Sequence, residues 1–81
     1  MAKHTVNYFS SKLKKARLFK GYKTQASICN RLDISRQVWS LWELGKRLPN
    51  LEQLITVSNF LQIDISYFFP ETTEPKNYSF Y

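Results

Sequence analysis

Apolar side chains recur at intervals of three and four residues along most of the chain. This spacing places them on one face of an α-helix. No sustained alternation of apolar and polar residues, the mark of a half-buried strand, occurs before residue 77. The pattern therefore predicts an all-α fold of five short helices. We expect the first at about 6–19, the second at about 25–31, the third through about 44, the fourth from 51, and a short fifth ending near 69.

The predicted boundaries carry residues that begin and end helices. A short polar side chain before a helix accepts a hydrogen bond from a backbone N–H that the helix leaves unpaired, whereas glycine and proline favour helix ends. Asn50 with Gln53 three residues later matches the capping box, in which the two residues bond reciprocally. The expected N-caps are Thr24, Ser35, Asn50 and Asp64, and the expected stops are Gly21, Gly45 and Pro70.

Each predicted helix carries an apolar stripe that indicates its buried face. The stripes contain Phe9, Leu13 and Ala16 in the first helix, Ile28 and Leu32 in the second, Val38 or Trp39 with Trp42 in the third, and Leu51, Leu54, Ile55, Ser58 and Leu61 in the fourth.

The stretch from Thr24 to Trp42 has the organisation of a helix-turn-helix. Two short helices are joined by about three residues, and Cys29 provides the small side chain that a close crossing of backbones requires. The turn needs a residue that tolerates positive φ, and Asp33 is among the better choices after glycine. Four apolar residues hold the two helices together, namely Ile28, Leu32, Ile34 and Trp39. The stretch therefore predicts a helix-turn-helix motif.

The second helix of this motif presents a distinct outer face. Arg36, Gln37, Ser40 and Leu41 point outward when Val38, Trp39 and Trp42 are buried. An exposed leucine is useful in the major groove of DNA because it can contact a thymine methyl group.

Charge is segregated along the chain. The 12 Lys and Arg against 6 Asp and Glu give a net charge of +6, but residues 1–47 carry a net +9 and residues 48–81 a net −3. Such segregation is typical of a chain with one face that meets a polyanion, although an unevenly charged solvated surface is an alternative.

Composition excludes several other classes of protein. The single cysteine, Cys29, rules out an intramolecular disulfide framework and fits a reducing compartment. Apolar runs are far shorter than the roughly 20 residues of a membrane span, and the first residues lack the apolar run of a signal peptide. No nucleophile, general base or set of metal ligands forms a site. We therefore expect a cytoplasmic protein that is not an enzyme, with no metal, cofactor, small-molecule ligand or membrane partner.

Four segments together resemble a known family. Residues 13–17 (LKKAR), 21–25 (GYKTQ), 35–49 (SRQVWSLWELGKRLP) and 51–69 are similar in sequence and spacing to the lambda-type repressor/Cro (XRE-like) helix-turn-helix domain. The resemblance covers about residues 10–69 and implies a compact five-helix DNA-binding fold. One departure is Asp33, which replaces the usual turn glycine with a negative charge.

The resemblance implies roles for matching residues. Arg17 and Glu43 match a partly buried ion pair between the first and third helices, which makes Arg17 structural. We expect base contacts from Arg36, Gln37, Ser40 and Leu41, and backbone contacts from Thr24, Gln25, Ser35, Lys46, Arg47 and Asn50. The resemblance also implies that Gln25 braces a side chain of the third helix.

The C-terminal region forms a separate unit in this interpretation. Residues 1–69 make up the DNA-binding domain, and residues 70–81 a polar linker followed by the aromatic segment from residue 77. That segment is a short strand that joins two copies, a disordered tail, or a tail folded back on Leu18 and Phe19.

The expected function is that of a sequence-specific double-stranded DNA-binding transcriptional regulator. The resemblance favours a homodimeric repressor that reads a palindromic operator in the major groove. Two alternatives share this architecture: an antitoxin-like protein-interaction module with DNA-binding autoregulation, and a restriction-modification controller.

Overall fold

A computed structural model describes residues 3–70 of the chain, and its side chains from residue 5 onward. Within this range the chain folds into four α-helices and a single 3-10 turn, so the prediction of an all-α fold is confirmed. The predicted fifth helix is the 3-10 turn. The elements are α1 (Lys3–Phe19), α2 (Gln25–Leu32), α3 (Arg36–Glu43), α4 (Leu51–Leu61) and the 3-10 helix (Ile65–Phe68).

Two predicted boundaries need comment. α1 begins at Lys3 rather than near Val6, because an added helical turn outside the core requires backbone hydrogen bonds but no apolar contact. The predicted linker and aromatic tail beyond Pro70 lie outside the described residues.

The predicted N-caps account for the starts of the later helices. The Thr24 hydroxyl oxygen accepts from the Ser27 N–H at 3.2 Å. At α4 the capping box is complete, because the Asn50 side-chain oxygen accepts from the Gln53 N–H at 2.7 Å while the Gln53 side chain accepts from the Asn50 N–H at 2.9 Å. Ser35 and Asp64 accept in the same way, at α3 and at the 3-10 helix. All four predicted caps are confirmed.

Two non-glycine residues adopt the left-handed conformation where helices end. Asp33 has φ 56° and ψ 44°, and its N–H bonds to the Cys29 carbonyl, which ends α2 and turns the chain toward α3. This is the conformation that the helix-turn-helix pattern predicts for Asp33. Gln62, with φ 57°, ends α4 in the same way and carries no sequence signal.

The core lies between the helices and is rich in aromatic rings. Phe9 from α1 packs against Phe68 with ring centroids 5.7 Å apart, and Trp39 packs against Trp42 at 5.5 Å. The 3-10 helix thus closes one end of the core, and α3 supplies its two largest side chains. The buried apolar residues are Phe9, Leu13, Ala16, Ile28, Cys29, Trp39, Trp42, Leu54, Val57, Leu61 and Phe68.

The predicted buried stripe of α4 is partly wrong. Leu51 and Ile55 are 69% and 45% exposed, whereas Val57 is buried together with Leu54, Ser58 and Leu61. The two stripes both fit a helical period, because α4 has more apolar residues than one face holds. Only the position of the neighbouring helices selects between them.

We predict that Gln62→Gly stabilises the fold. A left-handed residue with a Cβ atom costs roughly 1–2 kcal/mol relative to glycine, less the entropy that glycine gains in the unfolded chain. Urea denaturation should show an increase of about 1 kcal/mol in the free energy of unfolding. Gln62→Ala keeps the Cβ atom and serves as the control. An equal gain in both variants would show that left-handed strain is not the cause.

Candidate nucleic-acid interface

The outer face of α3 carries the four residues predicted to read bases. Arg36 and Gln37, in the first turn, are exposed, and Ser40 and Leu41, one turn later, are half-buried. Positions 36, 37, 40 and 41 lie along one side of a helix because they repeat every three to four residues. The structure therefore brings these side chains together on one continuous surface.

The opposite face of α3 is anchored in the core by two tryptophans. Trp39 and Trp42 are fully buried, with 0% and 1% of their surface exposed. The Trp39 indole N–H donates to Glu43 Oε2 at 2.6 Å. Within the described residues the Trp42 indole N–H has no acceptor, so Trp42 holds α3 by packing alone. Large rigid side chains on one face thus fix the direction in which the other face points.

The Glu43 carboxylate connects α1, α2 and α3. Arg17 on α1 pairs with it through two bonds, Nε to Oε2 at 2.7 Å and Nη2 to Oε1 at 3.2 Å. Both side chains are only 5% exposed. Arg17 Nη1 also donates to the Tyr22 carbonyl at 2.8 Å, which ties the loop after α1 to the same pair. The structure thus brings Arg17 and Glu43 together in a buried ion pair.

Gln25, the first residue of α2, joins this cluster. Its Nε2 donates to Glu43 Oε1 at 3.0 Å, so the amide is oriented by the carboxylate. A side-chain amide carries two N–H donors. Glu43 accepts a hydrogen bond from one of them, so the other can donate to a second acceptor. Gln25 is half-buried at the start of α2. Its amide could therefore donate to a phosphate while it remains hydrogen-bonded to Glu43.

The pKa of Glu43 reflects the balance of these contacts. Burial alone raises the pKa of a carboxyl group, because it disfavours the charged form. Hydrogen bonds from Arg17, Trp39 and Gln25, together with the charge of Arg17, outweigh burial and lower the pKa of Glu43 below its ordinary value of 4.5. The carboxylate is therefore charged at neutral pH despite its position.

Besides Gln25, the residues predicted to contact the DNA backbone fall into two groups. Thr24, Ser35 and Asn50 are exposed, but their side-chain oxygens accept capping hydrogen bonds. These oxygens therefore stabilise the helix starts. A DNA phosphate would accept a hydrogen bond from the hydroxyl hydrogen of Thr24 or Ser35, or from the side-chain amide N–H of Asn50. Lys46 and Arg47 are exposed in the loop that leads to α4. They present positive charge and take no part in the capping hydrogen bonds of α4.

Other candidate chemistry is missing from the described part of the chain. Burial raises the pKa of the Cys29 thiol, and the Glu43 charge raises it further, so this thiol is not activated. Among the side chains that the structure describes, residues 5–70, no cluster of His, Cys, Asp and Glu suits a metal ion. None of the helices described is long and apolar enough to cross a membrane.

Sequence reasoning did not identify Glu43 as the acceptor for Trp39 or for Gln25. The contact from Trp39 had a signal, because residues four apart lie on one face of a helix. For Gln25 the resemblance implied only a contact with some side chain of the third helix, and the acceptor is known once α2 is seen to pack on α3.

Comparison with known proteins agrees with this geometry. A family model described as helix-turn-helix matches residues 13–68, from the middle of α1 to the end of the 3-10 helix. The chain belongs to this helix-turn-helix family. The match confirms the resemblance to the lambda-type repressor/Cro (XRE-like) group. Among solved structures, none matches the chain at a significant level.

Curated relatives of this helix-turn-helix chain are named as regulators. It is 39% identical over 59 residues to the uncharacterized HTH-type transcriptional regulator YqaE of Bacillus subtilis, a match that covers 73% of this chain and 50% of that protein. It is 37% identical to the SPbeta prophage-derived regulator YonR of the same organism, over 73% of this chain and 54% of YonR.

A third relative is named as an activator. The HTH-type transcriptional activator BcrR of Enterococcus faecalis is 39% identical over 57 residues, which cover 70% of this chain and 28% of BcrR. The helix-turn-helix chain thus spans about half the length of YqaE and YonR, and less of BcrR.

We predict that Glu43→Gln destabilises the fold and changes its pH dependence. Removal of one charge of a buried pair leaves the other uncompensated, at a cost of about 3–5 kcal/mol. The pKa of Glu43 is lower in the folded chain than in the unfolded chain. Its contribution to stability is therefore complete above pH 4.5 and declines as the pH falls through the folded-state pKa.

Urea denaturation at pH 7 and at pH 3 measures this effect. The difference between the wild type and Glu43→Gln should be smaller at pH 3. Glu52→Gln, at an exposed glutamate of α4, is the matched control and should change the free energy of unfolding little at either pH. A difference that stays constant with pH would show that the Glu43 charge does not stabilise the fold.

Proposed function

We propose that this chain is a sequence-specific double-stranded DNA-binding transcriptional regulator that acts as a homodimeric repressor and reads a palindromic operator through α3. The observation that carries the proposal is the two-sided character of α3. Arg36, Gln37, Ser40 and Leu41 line one face, whereas two fully buried tryptophans anchor the other. An α-helix held in this way fits the major groove of B-form DNA.

The outer face of α3 carries the chemistry that direct readout requires. An arginine can donate two hydrogen bonds to one guanine, and a glutamine can bond to both edge groups of an adenine. Arg36 and Gln37 are exposed at the N-terminal end of α3, where recognition helices contact bases. Leu41, half-buried one turn later, suits contact with a thymine methyl group. Sequence specificity in this proposal rests on these side chains.

Contacts to phosphates position the domain on DNA. Lys46 and Arg47 are exposed next to the start of α4, and the net charge of +9 over residues 1–47 attracts a polyanion at longer range. Gln25 adds a side-chain amide, which is oriented by its hydrogen bond of 3.0 Å to Glu43 Oε1. Such contacts fix the register of a protein on the duplex but carry little sequence information.

The proposal of repression rests on the likeness to repressor and Cro proteins and on a physical argument. Repression requires only that a protein occupy its operator, which a DNA-binding domain can do by itself. Activation requires in addition a surface that engages the transcription machinery. The name of BcrR, an activator, makes the direction of regulation a point for experiment.

An exposed apolar face of α4 supports a dimer. Leu51 and Ile55 are four residues apart, so they are neighbours on one side of the helix. No Lys or Arg occurs between residues 48 and 75, so a second copy can approach this side without the repulsion that a chain of net charge +6 exerts elsewhere. A symmetric pair would place two α3 helices about one helical turn of DNA apart, roughly 34–36 Å.

The base-contact assignment predicts that Arg36→Ala weakens binding to the operator more than to other DNA. The operator is the duplex that the purified chain enriches from a random pool. Loss of one arginine–guanine contact corresponds to about 1–3 kcal/mol, roughly a 5- to 150-fold rise in Kd. Fluorescence anisotropy on the operator and on a scrambled duplex, at one salt concentration, measures both affinities.

Lys46→Ala is the matched control for Arg36→Ala. A lysine that contacts phosphate supports binding to any duplex, so its removal should weaken both affinities and reduce the salt slope by about one. If Arg36→Ala weakens the two duplexes equally, Arg36 contacts phosphate and not a base. A random pool from which nothing is enriched contradicts sequence-specific binding.

The dimer proposal predicts that the double variant Leu51→Gln/Ile55→Gln is monomeric. Both side chains are exposed, so the substitutions remove association without loss of core packing. Sedimentation equilibrium should show a shift from dimer to monomer, while circular dichroism remains unchanged. Phe19→Gln, which changes an apolar residue that is 84% exposed on α1, should leave the dimer intact. A double variant that still dimerises would exclude the α4 face.

A further inference from the structure

A second apolar surface, separate from Leu51 and Ile55, is lined by residues at the end of α1, by the 3-10 helix and by a residue of the loop that precedes it. It is a groove with a volume of about 340 Å³. None of its lining residues belongs to the surface assigned to DNA. The lining consists of Ala16, Phe19, Lys20, Ile63 and Tyr67.

The groove borders the most exposed large apolar residue in the described chain. Phe19 has 84% of its surface exposed, and the preceding Leu18 is 46% exposed. Single exposed apolar residues are ordinary on protein surfaces, but a concave apolar site beside two of them marks a place where an apolar group binds.

We propose that the aromatic segment of this same chain, Tyr78–Tyr81, binds in the groove. Its aromatic residues, Tyr78, Phe80 and Tyr81, have the apolar character of the groove lining. The proposal concerns an intramolecular contact and does not depend on the proposed function.

The position of the groove makes it accessible to this segment. Tyr67 lines the groove, and the described chain continues only three residues further, to Pro70. The seven residues from 71 to 77 reach at most about 23–25 Å when extended. The connecting residues 71–77 are therefore long enough for the aromatic segment to reach the groove.

Charge complementarity favours the same occupant. Two lysines lie at the groove: Lys20 is part of the lining, and Lys12 Nζ is 5.0 Å from the centroid of the Tyr67 ring. Glu71 and Glu74 precede the aromatic segment, and with Lys76 they give residues 71–77 a net charge of −1. Acidic side chains that pass basic ones, and ammonium groups close to tyrosine rings, both contribute favourable electrostatic energy.

The chain's own segment has an advantage over a second copy or another protein. A tether of only a few residues gives an effective concentration of the order of millimolar. A second copy would need to reach that concentration in solution to compete. The intramolecular contact thus covers Phe19, so that this end of the domain does not associate with another molecule.

Paramagnetic NMR on the full chain tests the proposal. A nitroxide attached at Ser79→Cys should broaden the backbone amide signals of residues that line the groove, including Phe19, Ile63 and Tyr67. Amides of α3 should be broadened less. Cys29 is buried and its thiol pKa is raised, so the label goes to position 79; wild-type chain that takes up no label is the control.

Two variants make the broadening specific. Phe19→Ser removes the ring that forms one wall of the groove and should abolish the selective broadening. Leu44→Ser, at another exposed apolar residue outside the groove, should retain it. Selective broadening that survives Phe19→Ser would overturn the assignment, as would broadening spread evenly over the domain.

A mixed sample distinguishes the chain's own segment from that of a second copy. Isotope-labelled chains without nitroxide are mixed with unlabelled chains that carry it. The proposal predicts no broadening of groove residues in this mixture. Broadening there would show that the segment binds across two copies, and it would replace the intramolecular contact by an interface between them.

Discussion

The buried carboxylate of Glu43 is the contact on which the arrangement of this domain depends. Arg17, Gln25 and Trp39 all donate to it, so side chains of α1, α2 and α3 meet at one group. A buried carboxylate without such donors would be costly, because burial disfavours charge. With them, its charge is retained and the relative positions of three helices are restricted. The direction of the outer face of α3 follows from this restriction.

Core packing further restricts the position of α3. Trp39 contributes both to the polar cluster, through its indole N–H, and to the core, through its ring against Trp42. The same helix therefore has a rigid inner face and an outer face of Arg36 and Gln37 that is open to solvent. A recognition helix needs this combination, because a side chain can discriminate bases only if its backbone is held in place.

Much of the fold was predictable because its signals are local. Caps at Thr24 and Asn50 depend on hydrogen bonds within three residues, and Asp33 ends α2 by its own backbone conformation. The burial of α4 was not predictable to the same degree. Leu51 and Val57 are equally apolar, and only contact with the rest of the core decides that Val57 is inside.

The sequence by itself determined the helices, the helix-turn-helix and the identity of the residues on the outer face of α3. These follow from periodicity and capping, which act over a few residues. Only the tertiary structure decided that Gln25 donates to Glu43, which side of α4 remains exposed, and where an apolar groove forms beside Phe19. Each of these depends on contacts between residues far apart in the chain, and local spacing does not encode the distances between them.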